Sequence, residues 1–595
     1  MLARWCCRLR SVLTEVNAVT LIHVRGAAAS VAASNLPLHE KVIGAIRCHA
    51  EDPGKIALIS PDCEEEVLTY RDLLHQTEAT ASYLSKNPDR EEEILTYRDL
   101  LHQTEAFASY LSKNGFTKGD VALFVMDNSS AFAVSHLGVL KCGGTITSAS
   151  PSSSRAALEH QIRDSKASLV FTEEAILPRV MLAAQECCNV KKIVCERSSA
   201  SDSALPEGVE DFKNVIGGPV NRVDTHTSSS DLAVLPYTDV MKEAPMGMIL
   251  THQNVSTAVD IYQAYMERMA KKVLKYPDCS QESLLLCSSF ASMYGLLCLN
   301  IALIMGFTSV ILKKFEPLLV FNSVRSYRPR ILVAEPAQIV SLLKQPTDDD
   351  FMLSSIQYVL CGGPPIGKRV RKLFLERFTD VKYMTNGAGL LEGAPGAMVP
   401  NIVGRENYND VGCSVPIADM KVVCPSTGEL KGLEEKGEVC LRGPTVMQGY
   451  MNDNAQLNED GWYQTGQVGY VDKYGKAFIS GRQRDMVEID GQQVSLTELE
   501  DVLLSHPSIS DAAVISTLDE GAAQKMKAFV VQCDEKLTAE DVLGFVDGQV
   551  APIFKSLLTG VEFVYRIPRG TDGYPLRNQL QQTADQKEVE DVIAS

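Results

Sequence analysis

The sequence contains no C-x-x-C pair. Its 16 cysteines are scattered, and Cys6-Cys7 and Cys187-Cys188 are merely adjacent. That pattern disfavours a zinc site or a disulfide framework, and the thiols read as small, buried, reduced side chains. Basic charge is also in deficit. The 57 Lys and Arg face 75 Asp and Glu, giving a net charge of −18. With no basic patch to meet phosphates, nucleic acid is excluded as a partner. The C-terminus, Val592-Ile593-Ala594-Ser595, has no peroxisomal S-K-L address. No apolar run near the N-terminus is long enough for a secretory core.

Residues 1–35 are instead rich in arginine. Arg4, Arg8, Arg10 and Arg25 stand against one acid, Glu15, and an Ala/Ser-rich run follows at 26–34. Arg-rich, acid-poor and amphipathic is the pattern of a mitochondrial transit peptide. A disordered tail on a cytoplasmic protein is the alternative. At 595 residues the chain is too long for one core, so two or more domains are expected. One stretch, Ser283 to Leu312, carries no charge and exceeds the length that spans a bilayer. Gly295, Asn300, Gly306 and several serines break it up. It divides into a helix near Tyr294–Ile304 and a strand near Thr308–Leu312, so a place inside an α/β core is expected rather than a transmembrane segment.

Residues 64–87 and 91–114 are near copies with an offset of 91 − 64 = 27, differing only at Val67/Ile94 and Thr80/Phe107. A single duplication is too short for a solenoid. Each copy reads as a strand and an amphipathic helix. Leu100, Phe107 and Leu111 share a face in the second copy, and Thr80 weakens that face in the first. Copy two should pack and copy one should be a surface insertion. Two alternative exons joined in one transcript would look the same.

From about residue 115 to 480, apolar runs such as Val121–Met126, Ser168–Thr172, Leu232–Pro236, Ile331–Ala334 and Ile356–Cys361 alternate with helical stretches. That alternation argues for parallel α/β layers. After Gly437 closely spaced strands suggest a β-rich subdomain, at Glu438–Arg442, Gly469–Val471 and Ala477–Ser480. The last hundred or so residues read as a small α+β unit.

Three segments carry a family resemblance. DLAVLPYTDVMKEAPMGMILTHQN at 231–254 resembles the phosphate-binding segment of acyl-CoA synthetases, coumarate–CoA ligases and luciferases, roughly D-L-A-x-L-P-Y-S-S-G-T-T-G-x-P-K-G-V-x-L-T-H-x-N. The second covers 439–494, with CLRGPTVMQGYMND, DGWYQTGQVGYVD and ISGRQRDMVEIDGQQV. The third is IPRGTDGYPLRNQL at 567–580. CGGPPIG at 361–367 and NGAGLLE at 386–392 add to them. The chain is thus identified as a member of the acyl-adenylate-forming superfamily. The resemblance implies a large N-terminal domain (36–481), a hinge (482–485, pivot at Arg484) and a small C-terminal domain (486–595). It also implies the family reaction, in which ATP and Mg²⁺ activate a carboxylate to an acyl-adenylate and CoA takes the acyl group.

Many positions that would run this chemistry are altered. A phosphate loop needs glycines that turn backbone N–H groups onto the anion. Here the family glycines are Val240 and Glu243, with Gly247 kept, and the family lysine is Met246. The hydroxyl positions hold Asp239, Met241 and Lys242, with only Thr238 retained. Lys242 standing in for the lysine is the functional alternative. A carboxylate about 4 Å from a phosphate costs about 4 kcal/mol at an effective dielectric near 20, so the loop should repel ATP. The adenine-stacking aromatic is Ala388, and the phosphate-contacting threonine is Leu391. Glu392 remains at the position of the acid that helps hold Mg²⁺. Gln467 replaces the ribose-binding aspartate, and Arg482 is kept. Tyr574 replaces the adenylation lysine, and removing one such preorganised donor costs about 10²–10³ in rate. Glu488 and Asp490 reverse the sign of relatives' lysines on the thioester-forming face. Gly362 and Gly363 belong to the nucleotide site by position. The acyl pocket should lie beside SFASMYG at 289–295, where Ser292 stands for a family histidine.

Three functions follow from these residues. One is a degenerate pseudoenzyme that needs no cofactor and binds a carboxylic acid, an acyl-CoA or a protein partner. Another is an active acyl- or aryl-CoA ligase using ATP, Mg²⁺ and CoA. The third is a structural subunit pairing with an active relative.

Overall fold

The computed structural model describes residues 32–61, 93–197, 204–238, 245–269, 282–345, 352–385, 393, 395–400, 403–404, 413–414, 418–451, 460–489, 492–518, 524–549, 558–570 and 573–582. Outside these lie the first repeat copy, Asp239–Glu243, Ala388, Leu391, Glu392 and Asp490.

Two sheets build most of the large domain. In the first, Thr145–Ala149, Val121–Val125, Leu169–Glu173 and Lys192–Glu196 run side by side in parallel. The helices Ser130–Lys141, Arg155–Ser165 and Leu177–Gln185 connect these strands. Helices on its faces hide a parallel sheet from water, which is why VALFV is apolar at every position and buried throughout. In the second, Tyr358–Cys361, Ile331–Ala334, Ser283–Leu286 and Thr308–Ile311 are parallel. Ile56–Ser60 and then Glu93–Thr96 extend its edge. The uncharged stretch is strand, helix and strand in this layer, and its helix, Met293–Met305, is buried almost all round. Among the described residues no helix is long and apolar enough to cross a membrane.

The second repeat copy is built into the fold. Glu93–Thr96 pairs antiparallel with Ile56–Ser60. Helix Tyr97–Lys113 then starts at a capping box formed by Thr96 and Asp99. Leu100, Phe107 and Leu111 are buried, and Phe107 packs 5.9 Å from Phe171 and 6.0 Å from Phe212.

A mainly antiparallel sheet follows, ordered Val399–Pro400, Cys413–Ser414, Ala477–Arg482, Tyr463–Val471, Gly437–Arg442 and Asp419–Val423. Tyr463–Val471 is longer than the expected Gly469–Val471. Its first half, YQTGQ, lacks apolar alternation and pairs across a bulge at Val468/Gly469. One 3₁₀ turn, Gln483–Asp485, leads out of the sheet. The small domain has its own core, in which Leu499, Leu503, Val514, Ala528 and Val542 are buried together.

Candidate active site

The phosphate-type segment is anchored at both ends. Tyr237–Thr238 pairs antiparallel with Met246–Gly247, which closes the base of the loop. A Cβ on Gly247 would sit 3.1 Å from Leu235 and from the Tyr237 ring, so a larger residue would push these side chains aside by a few tenths of an ångström. The Tyr237 hydroxyl donates to Asp164 at 2.6 Å, and burial raises its pKa. The 443–451 segment is laid across this base. Met451 N donates to Gly247 O at 2.7 Å, and Ile249 N donates to Gly449 O at 2.9 Å. Asn254 Nδ2 donates to Pro444 O and Val446 O at 2.8 and 2.9 Å.

The glycine-rich loop after Tyr358–Cys361 is shaped by a tyrosine. A Cβ on Gly362 would fall 2.2 Å from the Tyr294 ring, and Gly363 has φ +86°. Tyr294 donates to Leu360 O at 2.8 Å. Thr385 Oγ1 accepts from Cys361 N at 2.7 Å and donates to Cys361 O at 2.8 Å. Behind Tyr294 lies an apolar cavity of about 30 Å³, whose walls include Tyr262, Tyr265, Met266, Cys298 and Leu360. That is room for about two waters. Burial pushes the Cys298 thiol up to about 12, which leaves it an uncharged wall. Ser292 caps the helix through Gly295 N at 3.1 Å.

Gln467 and Arg482 are cross-strand neighbours. Gln467 is 4% exposed, and its Oε1 has no hydrogen-bond partner among the described residues. The Arg482 guanidinium lies 3.4 Å from the centre of the Tyr574 ring, and Tyr574 is buried. The turn holding Tyr574 is braced from several sides. Gly570 N donates to Tyr574 O at 3.0 Å, Arg569 donates to Gly573 O at 2.9 Å, and Arg569 pairs with Asp511 at 2.5 Å. Next along the chain, Arg577 bridges Asp485 of the 3₁₀ turn at 2.7 Å and Glu500 at 2.5 Å.

A family model described as AMP-binding enzyme matches residues 85–451, and one described as AMP-binding enzyme C-terminal domain matches 498–573. The chain belongs to the AMP-binding enzyme family. Among relatives of this family, a probable CoA ligase from Humulus lupulus is 32% identical over 80% of this chain and 85% of its own. A 4-coumarate–CoA ligase-like protein of Arabidopsis thaliana is 29% identical over 78% and 82%. An anthranilate CoA ligase in complex with anthranoyl-AMP has a similar fold, with TM-score 0.74 at 18% identity over 92% of this chain and 97% of that one.

Of the positions singled out in the sequence of this AMP-binding family member, Gln467, Arg482 and Tyr574 come together. Thr238, Met246 and Gly247 form the base of the loop. Gly362 lies against the Tyr294 ring, and Gly363 follows it. Ala388 and Glu392 lie outside the described residues, as does the side chain of Glu488. The cavity residues Tyr262, Tyr265 and Met266 were not foreseen. Their i, i+3, i+4 spacing on helix His252–Met269 was a signal, but the same stripe describes any buried helix face.

Proposed function

We propose that this CoA-ligase-like protein is a pseudoenzyme, impaired in ATP-dependent adenylation, that keeps an apolar acyl pocket. The observation carrying this reading is the Tyr574 ring seated on Arg482. A guanidinium serves phosphate or ribose through an in-plane fork of donors, and an aromatic face against it competes with a ligand for that side chain. Tyr574 also brings no positive charge to offset charge on a transferring phosphoryl group. A nucleotide triphosphate therefore fits this residue set poorly. The ligands proposed are a carboxylic acid or its CoA thioester, with the tail behind Tyr294, or a protein partner. The test is pyrophosphate exchange with MgATP and a panel of aliphatic and aromatic acids. The expected result is no exchange above a protein-free blank, and exchange with any one acid would overturn the reading.

An active ligase is the second reading. The buried Gln467 Oε1, without a hydrogen-bond partner among the described residues, favours it, because that atom is an acceptor able to take a ribose hydroxyl. Calorimetry separates the two readings: micromolar affinity for MgATP favours the ligase, and no measurable binding at millimolar nucleotide favours the pseudoenzyme.

Residues 1–35 are proposed to direct mitochondrial import. Ser34 N donates to Thr257 Oγ1 at 2.9 Å, so a cut upstream of Ser34 would leave that contact in place. A reporter fused to residues 1–35 should accumulate in mitochondria, and one that stays diffuse in the cytosol would sink the idea.

A further inference from the structure

Helix Lys368–Arg377 begins in an electrostatically poor way. Its N-cap residue, Gly367, makes no side-chain cap, and its first turn holds no acid. Lys368, Arg369, Arg371 and Lys372 crowd the end where the helix dipole is already positive. Such an end needs an acceptor for its open N–H groups. The acceptor comes from the other domain. Asp501, on helix Leu496–Leu504, accepts from Arg369 N at 3.1 Å and from Val370 N at 3.2 Å, one through each carboxylate oxygen. It sits so close that a Cβ on Gly367 would lie 1.8 Å from its Oδ1. Two further contacts cross at this face. Arg369 donates to Gln549 Oε1 at 2.7 Å and to Gln549 O at 2.8 Å, and Lys344 Nζ donates to His506 O at 2.5 Å.

We propose that Asp501 is a removable helix cap: it completes helix Lys368–Arg377 only while the small domain is docked in the position described, and so couples domain position to the glycine-rich loop ahead of that helix. The loop Gly362–Gly367 runs directly into the capped end. The small domain touches the same loop a second time, because a Cβ on Gly573, φ +79°, would meet Pro364 Cδ at 3.0 Å. Docking thus grips the loop at Pro364 and at Gly367. When the small domain leaves, two backbone donors beside two cations lose their acceptor and the loop loses both restraints. This inference goes beyond the functional reading and does not depend on whether the chain turns over ATP.

The experiment uses the full chain and no nucleotide. Amide hydrogen exchange is followed across 362–377 in the parent, D501A, D501N and G367A, with small-angle scattering on the same samples. In D501A the amides of Arg369 and Val370 should exchange at least tenfold faster, and the radius of gyration should rise. D501N, with one side-chain oxygen in place of two and an NH₂ donor at the other position, should keep protection at one of the two amides and lose it at the other, falling between the parent and D501A. G367A, which drives a methyl into Asp501 from the opposite side, should behave like D501A. Exchange in D501A and G367A within twofold of the parent, with unchanged scattering, would overturn the proposal. Each domain has its own core, so a removable cap is dispensable for folding, and aggregation of D501A would overturn it equally.

Discussion

Lysine in place of Tyr574 would face a cation rather than a ligand, because the Arg482 guanidinium lies 3.4 Å from the ring centre. Tyr574→Lys alone is therefore expected to give no pyrophosphate exchange, and to loosen the turn it sits on. Rebuilding the loop with Val240→Gly, Glu243→Gly and Met246→Lys should restore some nucleotide binding, read by calorimetry. Adding Ala388→Tyr, Gln467→Asp and Tyr574→Lys to that background should then raise exchange by more than their separate effects, since such groups act as a unit. Exchange from the Tyr574→Lys single variant would show a working nucleotide site. Gly362→Ala tests another single contact. The new Cβ would fall 2.2 Å from the Tyr294 ring, and overpacking of this kind costs about 1–3 kcal/mol. Urea unfolding should show that loss, and Gly362→Ala/Tyr294→Ala should relieve the clash. The altered site residues were legible in the sequence because each stands inside a recognisable motif. The partner of Tyr574 was not, since a cation–π contact joining two domains leaves no mark in local spacing. Asp501 was illegible for the same reason: in sequence it is one acid on an amphipathic helix.

Elements whose burial is uniform or strictly periodic were the readable ones. Val121–Val125 and Ile331–Ala334 are apolar at every position. In the uncharged stretch the helix and the strand after it were legible, and Gly306 ends that helix at φ +74°; the strand Ser283–Leu286 ahead of it was not. Tyr463–Val471 was only partly legible, because a bulge breaks its period and its first half is polar even where it is buried, at Thr465 and Gln467. The repeat allows a test at this scale. Glu93–Thr96 and the helix after it occupy the sheet edge and the core. Deleting residues 64–90, which joins Cys63 to Glu91, should leave a soluble protein whose melting temperature is unchanged or higher. An insoluble deletion variant would show that the first copy is built in. Phe107→Thr in the same background should lower stability by about 3 kcal/mol, in the range for truncating a buried phenylalanine.

For the whole molecule, acid should act through histidines that the fold keeps neutral. His39, His136 and His252 are buried. Burial is the largest cause in each case, and it lowers them to about 3, 4 and 4. In the unfolded chain they bind protons at the ordinary value near 6.5. Their contribution is therefore complete above pH 6.5 and is lost as pH falls toward 4, at about 1.4 kcal/mol per pH unit for each group. Asp127 and Glu196, raised by burial to about 6 and about 7, work in the opposite sense between pH 7 and 4. His39→Gln should flatten the pH dependence of stability between 6.5 and 4.5 by up to about one proton, and Glu196→Gln should steepen it. Urea midpoints across that range decide both. The sheet edge formed by Ile56–Ser60 also bears on how the whole chain folds. Two nearly identical segments compete for that one place. The copy at 64–87 is nearer in sequence, so closing it onto the edge costs less chain entropy and is met sooner. The copy at 91–114 alone brings Phe107 to Phe171 and Phe212, so it prevails at equilibrium. The duplication is thus expected to act as a decoy during folding, with proximity favouring the first copy and packing the second. Refolding should show a slow exchange phase that disappears when residues 64–90 are removed, and that grows when Thr80→Phe makes the decoy as good as the native segment.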